Sequence, residues 1–399
     1  MQWALNCRIA MSWKTIPFSD AFRPLKVTPF TRDELNYSGG HYQNVHYGDI
    51  LVRFPSVVDA ENAGLPFVNA SSEERCSRCS ILQNGDIIIA DTAEDEAVGK
   101  AIEIQGIKEQ RIVSGLHTMA FRPQEGIFAP GFLGYFLNSP EYHNQLLPLM
   151  QGTKVTSISK TSIRDTIIKY PSPEEQESIV EAFAEVDQLI NAIDEAIAKK
   201  RQIKEGVMRQ LLTGSTRIPG YNEDWVELEL GAILSYEQPG PYLVQSTEYV
   251  ESGTPVLTAG KTFILGYTNE KNGIYDKLPV IIFDDFVTES KYVDFPFKAK
   301  SSAMKMLSVR DKERHNVRFI YDVMQLIDFP MTDHKRYWIA EYSHLKVRVP
   351  NSLEEENAIA NAFANIDDEI HQLEDQRDKY ALIKQGMMQE LLTGKTRFI

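Results

Sequence analysis

The chain has 399 residues, 43% of them hydrophobic and 25% charged, with a formal net charge of −14. That is the composition of a water-soluble globular protein with room for two or three domains. No run approaches the ~18 apolar residues of a membrane span. Three cysteines are too few and too odd for a disulfide framework, which points to a reducing, cytoplasmic setting. The start, MQWALNCRIAMSW, lacks a basic stretch followed by an apolar core, so no secretory signal is expected; Met11 offers an alternative start. Cys76-Ser-Arg-Cys79 has CxxC spacing, but Cys7 and the scattered histidines supply no second ligand pair, so no metal is expected.

Residues 1–170 open with Trp13-Lys-Thr-Ile. Three short apolar runs of strand length follow: Asp49–Phe54, Asp86–Ala90 after the turn Asn84-Gly85, and Ala101–Ile104. Phe132 to Met150 reads as helix, broken at Asn138-Ser-Pro140. A polar loop, Gln151–Lys160, then leads through Ile167 and Tyr170 into a long helical stretch at 171–217. Residues 218–350 repeat the plan with little identity. Trp225 echoes Trp13, strands are expected at Pro255–Thr258, Pro279–Phe283 and Met304–Val309, and a helix at Phe319–Ile327. His334–Trp338 stands where the polar loop stood, and Leu345–Pro350 leads into a second helical stretch at 351–399.

The two helical stretches are copies. Ser172–Arg217 and Ser352–Arg397 align without a gap at an offset of 180 residues, with roughly 20 of about 46 positions identical. Each opens on an S-x-x-E capping box, Ser172 with Glu175 and Ser352 with Glu355, and each closes on Thr-Gly, at Gly214 and Gly394. Between cap and stop lie about 40 residues, or about 60 Å of helix. Ile179, Phe183, Val186, Ile190, Ile193 and Ile197 step by four and three, as do Ile359, Phe363, Ile366, Ile370 and Leu373. A seam of that period needs a partner helix; one chain supplies both, and an antiparallel pair would give it a pseudo-twofold axis. The seam is expected to continue through Ile203, Val207 and Leu211, and Ile383, Met387 and Leu391, although Lys200, Lys204, Arg377 and Lys384 fall on or beside it. Gly206 and Gly386 match, and each costs about 1 kcal/mol against Ala in a helix. Either something approaches the backbone there or a kink is tolerated.

Catalytic motifs are missing. Gly260-Lys261-Thr262 and Gly394-Lys395-Thr396 resemble the tail of a phosphate loop, but Pro255 and Gln389 stand where its first glycine belongs. There is no G-x-S-x-G elbow and no H-E-x-x-H helix. Asp284-Asp285 alone reads as a turn or a solvated face, and His117 as a turn histidine. What remains suits nucleic acid. Lys154, Thr156, Ser157, Ser159 and Lys160 in the first large segment are residue types that contact phosphates and base edges. Lys291, Tyr292, Lys298, Lys300, Lys305, Lys335, Arg336 and Tyr337 mix cations with aromatics in the second. The acidic total does not oppose this: residues 1–170 and 218–350 carry only −2 and −4, while the helical copies carry −3 and −5.

The repeated helix, with E-[QE]-x-x-I near its start, at Glu175–Ile179 and Glu355–Ile359, and L-L-T-G-[KS]-T-R at its end, resembles the conserved region of type I restriction-modification specificity subunits. The resemblance runs over the whole chain. It extends to a common subtype of second recognition domain through Val280–Phe286 and Tyr292–Phe297, departing at Asp285-Phe286, where a histidine often follows the aspartate. The resemblance implies an α+β chain of two mixed α/β target recognition domains, 1–170 and 218–350. They would be separated by paired antiparallel coiled-coil helices, 171–217 and 351–399. It implies that each domain reads half of an asymmetric bipartite site on double-stranded DNA. It implies two modification subunits, which would bring S-adenosylmethionine and methylate adenine, and two motor-nuclease restriction subunits, with no cofactor or catalysis of the chain's own. The rivals are a coiled-coil adaptor that never touches DNA and a self-contained methyltransferase or nuclease, for which no pocket motif is found.

Overall fold

The computed structural model describes residues 13–152, 154–260, 262–330 and 336–398. They form two compact units, one of residues up to Ala192 with those from Gln376 on, the other Ile193–Asp375. Each unit therefore holds part of both long helices, Pro173–Leu211 and Leu353–Leu391. Among the described residues no helix is long and apolar enough to cross a membrane.

The units share a plan. The first has a five-stranded sheet in the order Phe22–Pro24, Thr118–Pro123, Ile87–Ala90, Ala101–Gln105, Val57–Asp59. The second has four strands in the matching order Leu234–Glu237, Met304–Val309, Val280–Asp284, Ser290–Val293. A two-stranded ribbon delivers the chain to each long helix: Lys14–Pro17 with Ile167–Tyr170, and Val226–Glu229 with Lys346–Val349. Ile87–Ala90 and Val280–Asp284 are buried throughout, as continuous apolar runs at a sheet centre should be. A smaller sheet accompanies each large one, four-stranded in the first unit and three-stranded in the second. The run Asp49–Phe54 is not a strand: Tyr47–Val52 is a helix whose N-cap, His46, accepts the Gly48 N–H on its ring nitrogen at 3.1 Å. Its apolar residues do not alternate in burial, and Val52 is 88% exposed. The expected helices appear at Phe132–Phe136, Pro140–Leu146 and Val317–Met324.

Within each unit the two helices run antiparallel. In the first, Glu175 meets Arg397 and Asp187 meets Lys384; in the second, Glu355 meets Arg217 and Asp367 meets Lys204. These are the same pairs at the 180-residue offset. Glu175 and Glu355 are buried and bidentate to their arginines, at 2.5 and 2.7 Å and at 2.6 and 2.7 Å. Half of each capping box is consequently absent. Ser172 and Ser352 accept from the glutamates' N–H at 3.4 and 3.3 Å, but the carboxylates turn to a guanidinium, a stronger donor than a backbone amide. The left-handed Gly214 and Gly394 have a second use. A Cβ there would come within 3.3 Å of Trp225 and 3.2 Å of Trp13. Each indole thus roofs a helix end and sets its edge against a phenylalanine of its own domain, Phe319 or Phe132.

Ile179, Phe183, Ile193, Ile197, Ile359, Phe363 and Ile370 are buried, and Val186, Ile190, Ile366 and Leu373 partly so. Beyond Ile197 the seam differs from expectation. Ile203 and Ile383 are 45% and 41% exposed, while Lys204 and Lys384 take the inward positions. One residue is about 100° of helix, enough to carry each isoleucine off the seam. Val207 and Met387 are partly buried, and Leu211 and Leu391 close it. Glu355→Ala should lower the stability of the second unit by about 3 kcal/mol, because it strands a guanidinium at a part-buried site. Denaturant unfolding measures this; a loss below about 1 kcal/mol would mean that solvent replaces the carboxylate.

Candidate nucleic-acid interface

At one end of each large sheet the chain leaves the central strand through an aspartate: Asp91 after Ile87–Ala90, and Asp285 closing the run that begins at Val280. The two occupy the same place. Asp91 N–H donates to the His117 carbonyl at 3.1 Å, and Asp285 N–H to that of Ala303 at 3.2 Å. The Asp91 carbonyl accepts from Ile158 N–H at 2.9 Å, and the Asp285 carbonyl from Tyr337 N–H at 2.9 Å. In each unit three segments far apart in sequence therefore converge on one aspartate. In the first they are 91–100, 115–117 and the polar loop 151–160, which also pairs Thr156–Ser157 with Thr92–Ala93. In the second they are 285–289, 300–303 and the approach to Tyr337.

The aspartate side chains differ. Asp91 accepts from the Thr92 hydroxyl at 2.8 Å, beside a half-exposed His117. Asp285 is buried and anchors the interior: Lys305 lies 2.9 Å away and Trp338 N–H donates to it at 2.8 Å. Asp284 accepts from the N–H groups of Phe286 and Val287, forming the turn read from the sequence and leaving both side chains about 40% exposed. One residue per unit other than glycine adopts positive φ among the described residues, His117 at 51° and Thr288 at 56°, and both lie at this end.

A second feature lies within the second unit, a cleft of about 1010 Å³ whose walls include Lys291, Tyr292, Arg318, Asp367 and His371. The Arg318 guanidinium sits 5.0 Å from the Tyr292 ring centre and pairs with Asp322 and Asp367. Burial pushes the Asp322 carboxyl up to about 6 against the pull of Arg318. Burial also raises Glu103, which holds the Gly131 and Gly134 N–H groups, and Glu356, which holds His315 and the Asn316 N–H.

Residues 34–205 match the family model described as the type I restriction modification DNA specificity domain. The specificity subunit of the type I restriction enzyme EcoR124I/EcoR124II of Escherichia coli is 51% identical over 138 residues, 33% of this chain and 34% of that one. A candidate MjaX type I restriction specificity subunit of Methanocaldococcus jannaschii is 25% identical over 339 residues, 78% of this chain and 79% of that one. The crystal structure of a type I restriction-modification S subunit from M. genitalium superposes with a TM-score of 0.60 over 98% of both chains at 14% identity, a likeness of fold. By these matches the chain is similar to the type I restriction-modification specificity subunits. The likeness is to recognition subunits rather than catalytic ones, and the adaptor reading gives way to the match with a DNA specificity domain.

The residues singled out from sequence fall into groups. Lys154, Ser157 and Lys160 are exposed on the converging loop, and Thr156 is half-buried there. Ser159 shares a hydrogen bond of 2.6 Å with Ser162 and accepts its N–H, so it shapes the loop. Lys300 and Arg336 lie at the equivalent end of the second unit. Lys291 and Tyr292 line the cleft instead. Three expectations are corrected. Lys298 is buried, with its ammonium 2.6 Å from both the Asn272 carbonyl and Glu270. Lys305 is buried against Asp285, and Tyr337 is fully buried with its ring against Phe329. A side chain sealed in the core reaches no phosphate. Lys335 lies outside the described residues. The sequence reading set His117 aside as a turn histidine and did not count Phe286 or Val287 among the candidate site residues; the convergence of segments on Asp91 and Asp285 is what draws attention to them.

The raised carboxyls set a pH dependence. A folded pKa above the unfolded one means that the native state binds the proton more tightly. For Asp322 the stabilisation is present below about pH 4 and is lost as pH rises towards 6. Asp322→Asn should therefore flatten the stability profile between pH 4 and 6. Parallel profiles for the two proteins would show that Asp322 does not titrate there.

Proposed function

We propose that the recognition domains, 1–170 and 218–350, each read one half of an asymmetric bipartite site on double-stranded DNA. The helical regions, 171–217 and 351–399, would set the spacer and dock two modification subunits, with two motor-nuclease subunits joining for cleavage. The observation that carries this reading is the pair of unlike loop clusters on equivalent strand-end aspartates, each mounted on a frame whose ion pairs repeat at the 180-residue offset. Exposed cations on the loops supply phosphate contacts that position a reader; unlike side chains between them supply base discrimination.

Docking of the modification subunits draws support from the matched glycines. A Cβ at Gly206 or Gly386 would meet nothing within 4 Å, so among the described residues no other segment approaches these positions. Each lies one turn from an exposed isoleucine, Ile203 or Ile383. An exposed helix glycine beside an exposed apolar side chain suits the close approach of a second helix, and its duplication suits two copies of one partner.

Replacing residues 1–160 with the matching segment of another specificity subunit should change one half-site and leave the other intact. Mapping modified adenines in cells checks this, and a change in both halves would show that the domains do not read independently. Removing the same two turns from both helices should shorten the unspecified spacer while both half-sites persist; an unchanged spacer would exclude the ruler role.

A further inference from the structure

We infer that His117 reads an exocyclic amino group in the half-site bound by the first domain. The inference rests on the DNA-reading function proposed above and adds to it the residue and the chemical group that it recognises. His117 has φ 51°, a left-handed conformation rare for a residue with a Cβ, and its side chain is 46% exposed. Strained, exposed residues fixed by their surroundings concentrate at binding sites. The surroundings here are specific. The His117 carbonyl accepts from Asp91 N–H at 3.1 Å, and the ring of Tyr47 stands edge-on at 5.1 Å. Lys154 and Lys160 lie on the loop that Ile158 N–H ties to the Asp91 carbonyl, so cations that could bind phosphate flank the position.

The hydrogen-bond order fixes which ring nitrogen carries the proton. Thr92 Oγ1 donates to Asp91 Oδ1 at 2.8 Å. It therefore turns a lone pair towards His117 Nδ1, 3.3 Å away, and Asp91 Oδ1 lies 3.5 Å from the same nitrogen. Two acceptors facing Nδ1 place the proton there in the neutral ring. Nε2 is left as a bare acceptor, with no partner among the described residues. An acceptor selects bases that donate. In the major groove these are N6 of adenine and N4 of cytosine, whereas the guanine and thymine edges offer only acceptors.

The test is a selection of randomised duplex DNA on the full chain assembled with its modification subunits, for wild type and for His117→Gly. Glycine accepts the left-handed backbone, and matched thermal unfolding verifies that the variant folds. The wild type should yield a bipartite motif. His117→Gly should relax one position of one half-site, with roughly tenfold or greater loss of preference. At that position, duplexes carrying purine in place of adenine, or pyrimidin-2-one in place of cytosine, should bind the wild type roughly tenfold more weakly and His117→Gly no differently. A wild-type motif retained unchanged by His117→Gly refutes the assignment, as does a wild type indifferent to loss of the amino group. A wild type that selects no motif refutes DNA reading itself.

Discussion

The structure depends on a buried glutamate at the start of each helical copy and the arginine that ends the other copy. Glu175 takes Arg397, and Glu355 takes Arg217. A carboxylate in the core is costly unless paired, and a bidentate guanidinium is the partner that satisfies both oxygens. Because each pair joins a start to an end, it fixes antiparallel order within its unit. Because the pairs are copies of one another, one sequence motif serves both units. The tryptophan that opens each domain then packs on the left-handed glycine three residues before the arginine, binding the variable part to the repeated part at the point where the charges meet.

The frame is constant while its attachments vary. Asp187 and Asp367 correspond, and each takes the corresponding lysine of the opposite helix. Towards its own domain Asp187 accepts the Tyr135 hydroxyl at 2.9 Å, whereas Asp367 receives the Arg318 guanidinium. Gln176 and Glu356 also correspond. Gln176 accepts Ala129 N–H at 2.8 Å, and Glu356 accepts Asn316 N–H at 2.6 Å, each just ahead of a domain helix. The positions are kept and the chemistry is adapted, neutral in one unit and charged in the other. A carboxylate or amide at a fixed place on a helix can hold any domain that presents a donor there.

This division explains what could be read from the sequence. The gapless repeat, the seam, the terminal glycines and the central strands follow from local periodicity, and they were legible. Tertiary competition was not. The capping glutamates face an N–H nearby in sequence, but in the fold an arginine 138 or 222 residues away outbids it. Lys298 and Lys305 look like surface cations until Glu270 and Asp285 are brought to them. Ile203 and Ile383 fit the heptad by count, yet the ion pairs of the adjacent lysines rotate them outward. Asp49–Phe54 has the composition of a strand, and a capping histidine makes it a helix. In all of these except the last, a partner remote in sequence decides the outcome.

The loop clusters carry that argument to the level of recognition. Asp91 and Asp285 make the same two backbone hydrogen bonds, so the sheet delivers three segments to one place regardless of what they contain. In the first unit the carboxylate turns outward, to Thr92 and His117; in the second it turns inward, to Lys305 and the Trp338 amide. The position of His117 is occupied by Ala303, which has no polar side chain. Equivalent backbones thus present different hydrogen-bonding edges at the same place in two domains of one plan. The difference lies in the side chains at this one strand end, while the repeated helices carry the same ion pairs in both units.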